Sequence, residues 1–183
     1  KKSLGQNFLI DKNISTKIIE STNVNNRTVL EIGPGYGFMT DTILKYNPKK
    51  LIIIEKDLEL FKFLKKKYSK NKRVEIISGD ILKYNLFKFK NLIIISNLPY
   101  NISTKIILNI FYFNKNILEM IIMIQKEVSE KFDYNLPNMN KYKFLTKIVS
   151  SYVRCFDVSP NVFLPKPKVT STVVRFRFNK KNI

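Results

Sequence analysis

Val29-Leu30-Glu31-Ile32-Gly33-Pro34-Gly35-Tyr36-Gly37 passes from an aliphatic run into a glycine-rich turn that opens a helical segment. The run reads as a buried strand, and the glycines let the backbone turn tightly and approach a ligand without side-chain obstruction. Further apolar runs follow at Leu51–Ile54, Val74–Ile77, Leu92–Ile95 and Met120–Ile124, separated by segments of helical spacing such as Leu60, Phe61, Leu64 and Tyr68. Alternation of this kind predicts an α/β fold, a largely parallel sheet with helices on both faces, whose nearly all-apolar strands are buried on both sides. The turn's spacing is Gly-x-Gly-x-Gly, not the dinucleotide Gly-x-Gly-x-x-Gly, and no Gly-Lys-Ser/Thr phosphate loop is present.

The ends of the next strands carry polar groups. Glu55 closes the second run, 18 positions beyond Gly37, where a carboxylate accepts hydrogen bonds from both hydroxyls of a ribose. Gly79-Asp80-Ile81 follows the third run, so that Asp80 accepts from the amino group of an adenine while Ile81 packs on the ring. Each acid alone reads first as a surface charge or helix cap; three successive strands ending in complementary groups point instead to adenosine without phosphates. After the fourth run comes Asn97-Leu98-Pro99-Tyr100. Its amide accepts a hydrogen bond from an exocyclic amine, the proline stiffens the turn and leaves the preceding carbonyl to accept a second, and the tyrosine offers a face for a flipped base. Together these residues imply S-adenosylmethionine as methyl donor, its methyl group beside Asn97.

Composition narrows the function classes. The chain has 183 residues, 44% of them hydrophobic, and so supports one sizeable core. A single cysteine, Cys155, and the absence of histidine give no support to an internal disulfide, a zinc site or histidine-dependent hydrolysis. The longest apolar stretch, Leu118 to Ile124, is interrupted by Glu119 and is too short for a bilayer, so no membrane partner is expected. A formal charge of +19 favours a polyanion. Only five of the 33 basic residues are arginine, a bias that fits AT-rich coding and reduces the weight of the lysines without reversing their sign. The lysine-rich patch from Lys62 to Lys72 reads as a solvated helix face or as an RNA phosphate contact.

Towards the ends, Asp11 is placed to cap a helix bearing Ile14, Ile18 and Ile19 on one face. Residues 133–140 are polar and contain Pro137, predicting a loop, followed by a helix from Tyr142 to Ser151. Val153 to Val158 and Thr172 to Phe178 predict a closing antiparallel pair joined by the proline-rich segment Phe163-Leu164-Pro165-Lys166-Pro167-Lys168.

Gln6-Asn7-Phe8-Leu9, Glu31-Ile32-Gly33-Pro34-Gly35, Glu55, Gly79-Asp80, Asn97-Leu98-Pro99-Tyr100, Gln125-Lys126-Glu127-Val128 and Phe163 to Val169 occur in an order that resembles the ribosomal RNA small-subunit adenine dimethyltransferases, relatives of the erythromycin-resistance methyltransferases. Pro34 and Leu98 are more similar to the housekeeping branch. The resemblance implies a Rossmann-like class I S-adenosylmethionine-dependent methyltransferase, with a mostly parallel seven-stranded sheet and an antiparallel final strand. It implies that Asn7, Leu9, Gly33, Gly35, Glu55, Asp80, Ile81 and Asn97 bind the donor, and that Asn97, Leu98, Pro99, Tyr100 and Phe163 form the catalytic set, with Tyr100 and Phe163 sandwiching the flipped adenine. The activity implied is transfer of two methyls to N6 of adenine in small-subunit ribosomal RNA, free or in a pre-assembled small ribosomal subunit, without metal, by a monomer. Cytoplasmic location in a bacterium and organellar location in a eukaryotic parasite both fit. Residues 1–183 are then the catalytic domain, with the family's small helical C-terminal domain absent from this chain. The sequence departs from the family at Tyr142–Thr146, where relatives carry a glycine. An RNA-binding assembly factor without turnover and a DNA adenine methyltransferase remain as alternatives.

Overall fold

The apolar runs become the strands of one twisted sheet. A computed structural model describes residues 7–179, so the basic leader and Gln6 of the N-terminal motif lie outside the described residues. In chain order the elements are β1 (Phe8–Leu9), α1 (Lys12–Glu20), β2 (Thr28–Ile32), α2 (Phe38–Lys45), β3 (Lys50–Glu55), α3 (Leu58–Lys67), β4 (Val74–Ser78) and β5 (Leu92–Asn97). There follow α4 (Ser103–Tyr112), β6 (Ile117–Gln125), α5 (Lys126–Phe132), α6 (Lys141–Val149), β7 (Ser150–Val158), β8 (Phe163–Leu164) and β9 (Ser171–Phe178).

The seven-stranded sheet has the order β4-β3-β2-β5-β6-β9-β7. Only β9 is reversed, running antiparallel to both β6 and β7, while the remaining pairs are parallel. The chain builds outward from β2 through β3 and β4, then returns to the other side of β2 with β5. That reversal leaves a crevice at the C-terminal ends of β2 and β5, the place where open α/β sheets receive ligands.

Alternation along each strand supplies two cores. Leu30, Ile52, Ile94 and Met120 face one side and meet Ile106 and Ile110 of α4 and Phe132 of α5. Val29, Leu51, Ile53, Ile93 and Ile95 face the other and meet Ile18, Ile43 and Leu64 from α1, α2 and α3. Each fully buried aliphatic side chain of this kind stabilises the fold by about 2 kcal/mol. Asp11 caps α1 by accepting from the Ile14 amide at 3.0 Å, and Ile18 and Ile19 are fully buried.

The predicted helix from Tyr142 to Ser151 is shorter than expected. It spans Lys141–Val149, and Ser150 and Ser151 instead open β7, paired with Phe178 and Arg177. The ladder to β9 therefore wins over helical propensity at two serines, which are weak helix formers. Lys143, at the start of α6, is buried. Its ammonium donates to the carbonyls of Leu136, Pro137 and Asn138 at 3.1, 2.6 and 3.2 Å, satisfying the charge and cinching the preceding loop. Outside the main sheet, β1 and β8 pair antiparallel, Leu9 opposite Phe163, and this pair holds the N-terminal motif over the crevice. Among the described residues no helix is long and apolar enough to cross a membrane.

Candidate active site

Immediately after β2, Gly33 adopts φ +60° and donates its amide to Ile54 O at 2.9 Å. Nothing lies within 4 Å of where a Cβ would stand, so the bare backbone faces open space. That space is a cavity of about 270 Å³. Of the residues predicted to bind donor or target, Asn7, Leu9, Gly33, Glu55, Asp80, Ile81, Asn97, Leu98, Pro99 and Tyr100 line it. Gly35 does not. A Cβ there would sit 2.6 Å from the Phe8 ring, so this glycine admits Phe8 onto the turn and lets β1 close over the cavity.

Polar accounting singles out the same place. Five buried side-chain oxygens lack a hydrogen-bond donor among the described residues, and three of them, on Glu31, Glu55 and Asn97, belong to residues of the cavity wall. An unmet buried acceptor costs roughly 1–3 kcal/mol, so three together mark a surface made to meet a ligand's donors. Asn97 Nδ2 donates to Asn7 O at 2.8 Å. A carbonyl can only accept, so this contact fixes which end of the amide is nitrogen and leaves Oδ1 as the unmet acceptor. Within the turn, Leu98 N donates to Met123 O at 3.1 Å, Ile102 N to Pro99 O at 3.3 Å, and Ser103 Oγ to Tyr100 O at 3.2 Å. Among the described residues the Leu98 carbonyl accepts no hydrogen bond, unlike those of Pro99 and Tyr100.

Glu55 stands at the end of β3, 2% exposed. Its Oε1 accepts from the Asp57 amide at 2.9 Å, while Oε2 is unmet. Burial pushes its carboxyl above the usual range, opposed by the amides of Asp57, Gly35 and Lys56. Asp80 differs, since both its oxygens are engaged. Oδ1 accepts from Leu82 N at 3.0 Å and Oδ2 from Lys56 Nζ at 2.9 Å, and the lysine holds its carboxyl below the usual range. An adenine amino group reaching Asp80 therefore shares an oxygen with Lys56 or displaces it. Tyr100 shares a short hydrogen bond with Ser171 Oγ that anchors its ring at the cavity wall, and burial raises its phenol pKa.

Phe163, expected to offer a face to the target base, lies outside the cavity. It is 3% exposed, packed among Leu9, Ile18 and Val173, and absent from the cavity wall. Its pairing with Leu9 across β1 and β8 turns the ring into the core, so in this arrangement it supports the strand that carries Asn7 and Leu9.

Three polar wall residues, Glu31, Lys56 and Tyr36, are among those the sequence did not assign to the site. Glu31 accepts from Thr40 Oγ1 on Oε2 at 2.5 Å, and burial pushes its carboxyl up to about 8. An acid inside an otherwise aliphatic strand is the sequence signal that marked it. Lys56 and Tyr36 also border the cavity, and neither carries a pattern that distinguishes it from surface residues. No group of three or more His, Cys, Asp or Glu among the described residues is placed to hold a metal ion.

Residues 1–183 match the model of a family described as ribosomal RNA adenine dimethylase. The chain is 41% identical over 187 residues to a protein of Pelagibacter ubique named ribosomal RNA small subunit methyltransferase A, covering 96% of this chain and 69% of that one. It is 40% identical to the like-named protein of Malacoplasma penetrans, covering 98% and 66%. Among solved structures it is similar to a dimethyladenosine transferase from Plasmodium falciparum, with a TM-score of 0.84, 28% identity, and 94% of this chain and 64% of that one covered. The chain thus spans about two thirds of the length of these relatives. With the whole chain matched, the chain belongs to the ribosomal RNA adenine dimethylase family.

Proposed function

We propose that this chain transfers methyl groups from S-adenosylmethionine to N6 of adenines in small-subunit ribosomal RNA, giving N6,N6-dimethyladenosine during ribosome maturation. The observation that carries the reading is Asn97, whose amide is locked by Asn7 O so that its Oδ1 is buried and unmet among the described residues. With the backbone carbonyl of Leu98 as a second acceptor, it matches the two hydrogens of an adenine amine. Accepting both draws the nitrogen lone pair out of ring conjugation and orients it for attack, so positioning and electrostatics supply the catalysis.

When bound, S-adenosylmethionine supplies an electrophilic methyl carbon on a sulfonium. The residues fit it: Glu55 Oε2 accepts from the ribose, Gly33 allows close approach, Ile81 packs on the adenine ring, and Asp80 accepts from its amino group. Asn7 and Leu9 close the donor side, with Gly35 and Phe163 holding β1 in place. Tyr100 offers the stacking face for the target base, and Pro99 stiffens the turn that presents it. The protein works as a monomer, in the bacterial cytoplasm or an organelle, on free small-subunit RNA or on an assembling particle.

Mass spectrometry of nucleosides tests this directly. Small-subunit RNA, as free RNA and as a particle, is incubated with the protein and S-adenosylmethionine. Dimethyladenosine in either arm is the expected result. No methylated adenosine in either, or a preference for duplex DNA, overturns the reading.

A further inference from the structure

At the mouth of the cavity, Tyr36 of the glycine turn is 57% exposed and meets Phe63 of α3, itself 44% exposed, edge to face with ring centroids 5.6 Å apart. Phe8 meets Tyr36 from the other side at 5.1 Å. Phe8 and Tyr36 line the cavity and Phe63 lies beyond it, so the three rings form a path from the cavity wall out onto α3. Lys67 fixes this path from below, its Nζ donating to Tyr36 O at 3.1 Å and to Asp41 Oδ2 at 2.6 Å.

The surface beside Phe63 is cationic. Lys62 and Lys66 are exposed one helical turn apart, and Lys70 continues the row past the end of α3. None of these three makes an ion pair among the described residues. Like charges at that spacing work against the helix unless a polyanion lies over them. Exposed rings next to unpaired lysines combine the two parts of a single-strand binding surface: π-faces that accept any base, and cations that follow the phosphates. An apolar protein partner would leave the lysines unmet, and a duplex would offer no free base to the rings.

We propose that Tyr36 and Phe63 form a ledge on which an unpaired nucleotide flanking the target adenine stacks, with the adjoining phosphates over Lys62, Lys66 and Lys70. The assignment rests on the reading of the cavity as an RNA adenine methylation site, and the two are separable by experiment. Fluorescence anisotropy with a labelled single-stranded, adenine-containing RNA oligonucleotide reads binding without turnover; calorimetry reads S-adenosylmethionine. Phe63→Ala and Phe63→Leu are expected to weaken RNA binding about 5- to 150-fold, the range of one lost base–aromatic stack. Phe63→Tyr keeps it within about twofold, and none of the three changes donor affinity. Lys62→Gln with Lys66→Gln lowers the slope of log K against log salt by about 1.4, the value for two single-strand phosphates. RNA binding that is indifferent to Phe63→Ala and Phe63→Leu, or absent from the parent chain, overturns the ledge. Methyl transfer decides the other reading: Phe63-dependent RNA binding without any methyl transfer refutes the cavity's role and leaves the ledge standing.

Discussion

Glu55→Gln should raise stability and lower donor affinity at the same time. In the ligand-free protein the carboxylate is 2% exposed, with Oε1 on the Asp57 amide at 2.9 Å and Oε2 unmet. Glutamine keeps the acceptor for Asp57 and removes a charge that burial disfavours, as the raised pKa of this carboxyl records. The fold is therefore expected to hold or gain about 1 kcal/mol at pH 7, a rise of roughly 2–4 °C in Tm for a domain of this size. Affinity moves the other way. A ribose hydroxyl loses a hydrogen bond to a charged acceptor, about 1.5–3 kcal/mol, which weakens S-adenosylmethionine by roughly 10- to 150-fold. Differential scanning fluorimetry of the ligand-free protein and calorimetry with S-adenosylmethionine measure the two effects separately. A variant less stable by more than about 1 kcal/mol with unchanged donor affinity would show that Glu55 is a structural residue of β3 and refute the reasoning.

Glu31 predicts a pH dependence. Its folded-state pKa of about 8 lies above the ordinary 4.5, so between those values the folded chain holds a proton that the unfolded chain releases. Stability then falls as pH rises from about 5 to 8, by on the order of 1.4 kcal/mol per pH unit from this group alone, and Glu31→Gln removes that contribution in urea denaturation; equal slopes for parent and variant contradict the assignment. Phe163→Ala, at a site 3% exposed in the core beneath β1, should cost about 3–5 kcal/mol of stability. A chain of unaltered Tm with selectively lost RNA turnover would place Phe163 at the target base instead.

Much of the fold was legible because burial writes itself into the pattern. Runs such as Leu51–Ile54 and Leu92–Ile95 have no polar position, which only a strand covered on both faces requires, and their spacing left room for helices between them. The strand ends were legible for the same reason: Glu55, Asp80 and Asn97 are polar interruptions where apolar runs stop, and the parallel sheet gathers those ends at one edge. What depends on contacts distant in sequence was not legible. The β1–β8 pair is two residues long, too short for any periodicity, yet it decides that Phe163 is core and that Asn7 reaches Asn97. The orphaned oxygens of Glu31 and Asn97 arise from which donors fold beside them, and the occupation of Asp80 by Lys56 depends on two neighbouring strand ends meeting. The end of α6 was misplaced because Ser150 and Ser151 have little preference of their own and follow the β9 ladder.

Asn97→Ala tests the central claim most directly. The change removes the unmet acceptor and the single bond from Nδ2 to Asn7 O, a loss of about 1 kcal/mol that leaves the fold intact. Single-turnover transfer of labelled methyl from S-adenosylmethionine to small-subunit RNA should then slow by at least about 10²-fold, as loss of a preorganised transition-state contact requires, with circular dichroism unchanged. Transfer at the parent rate by a folded Asn97→Ala protein would contradict the account.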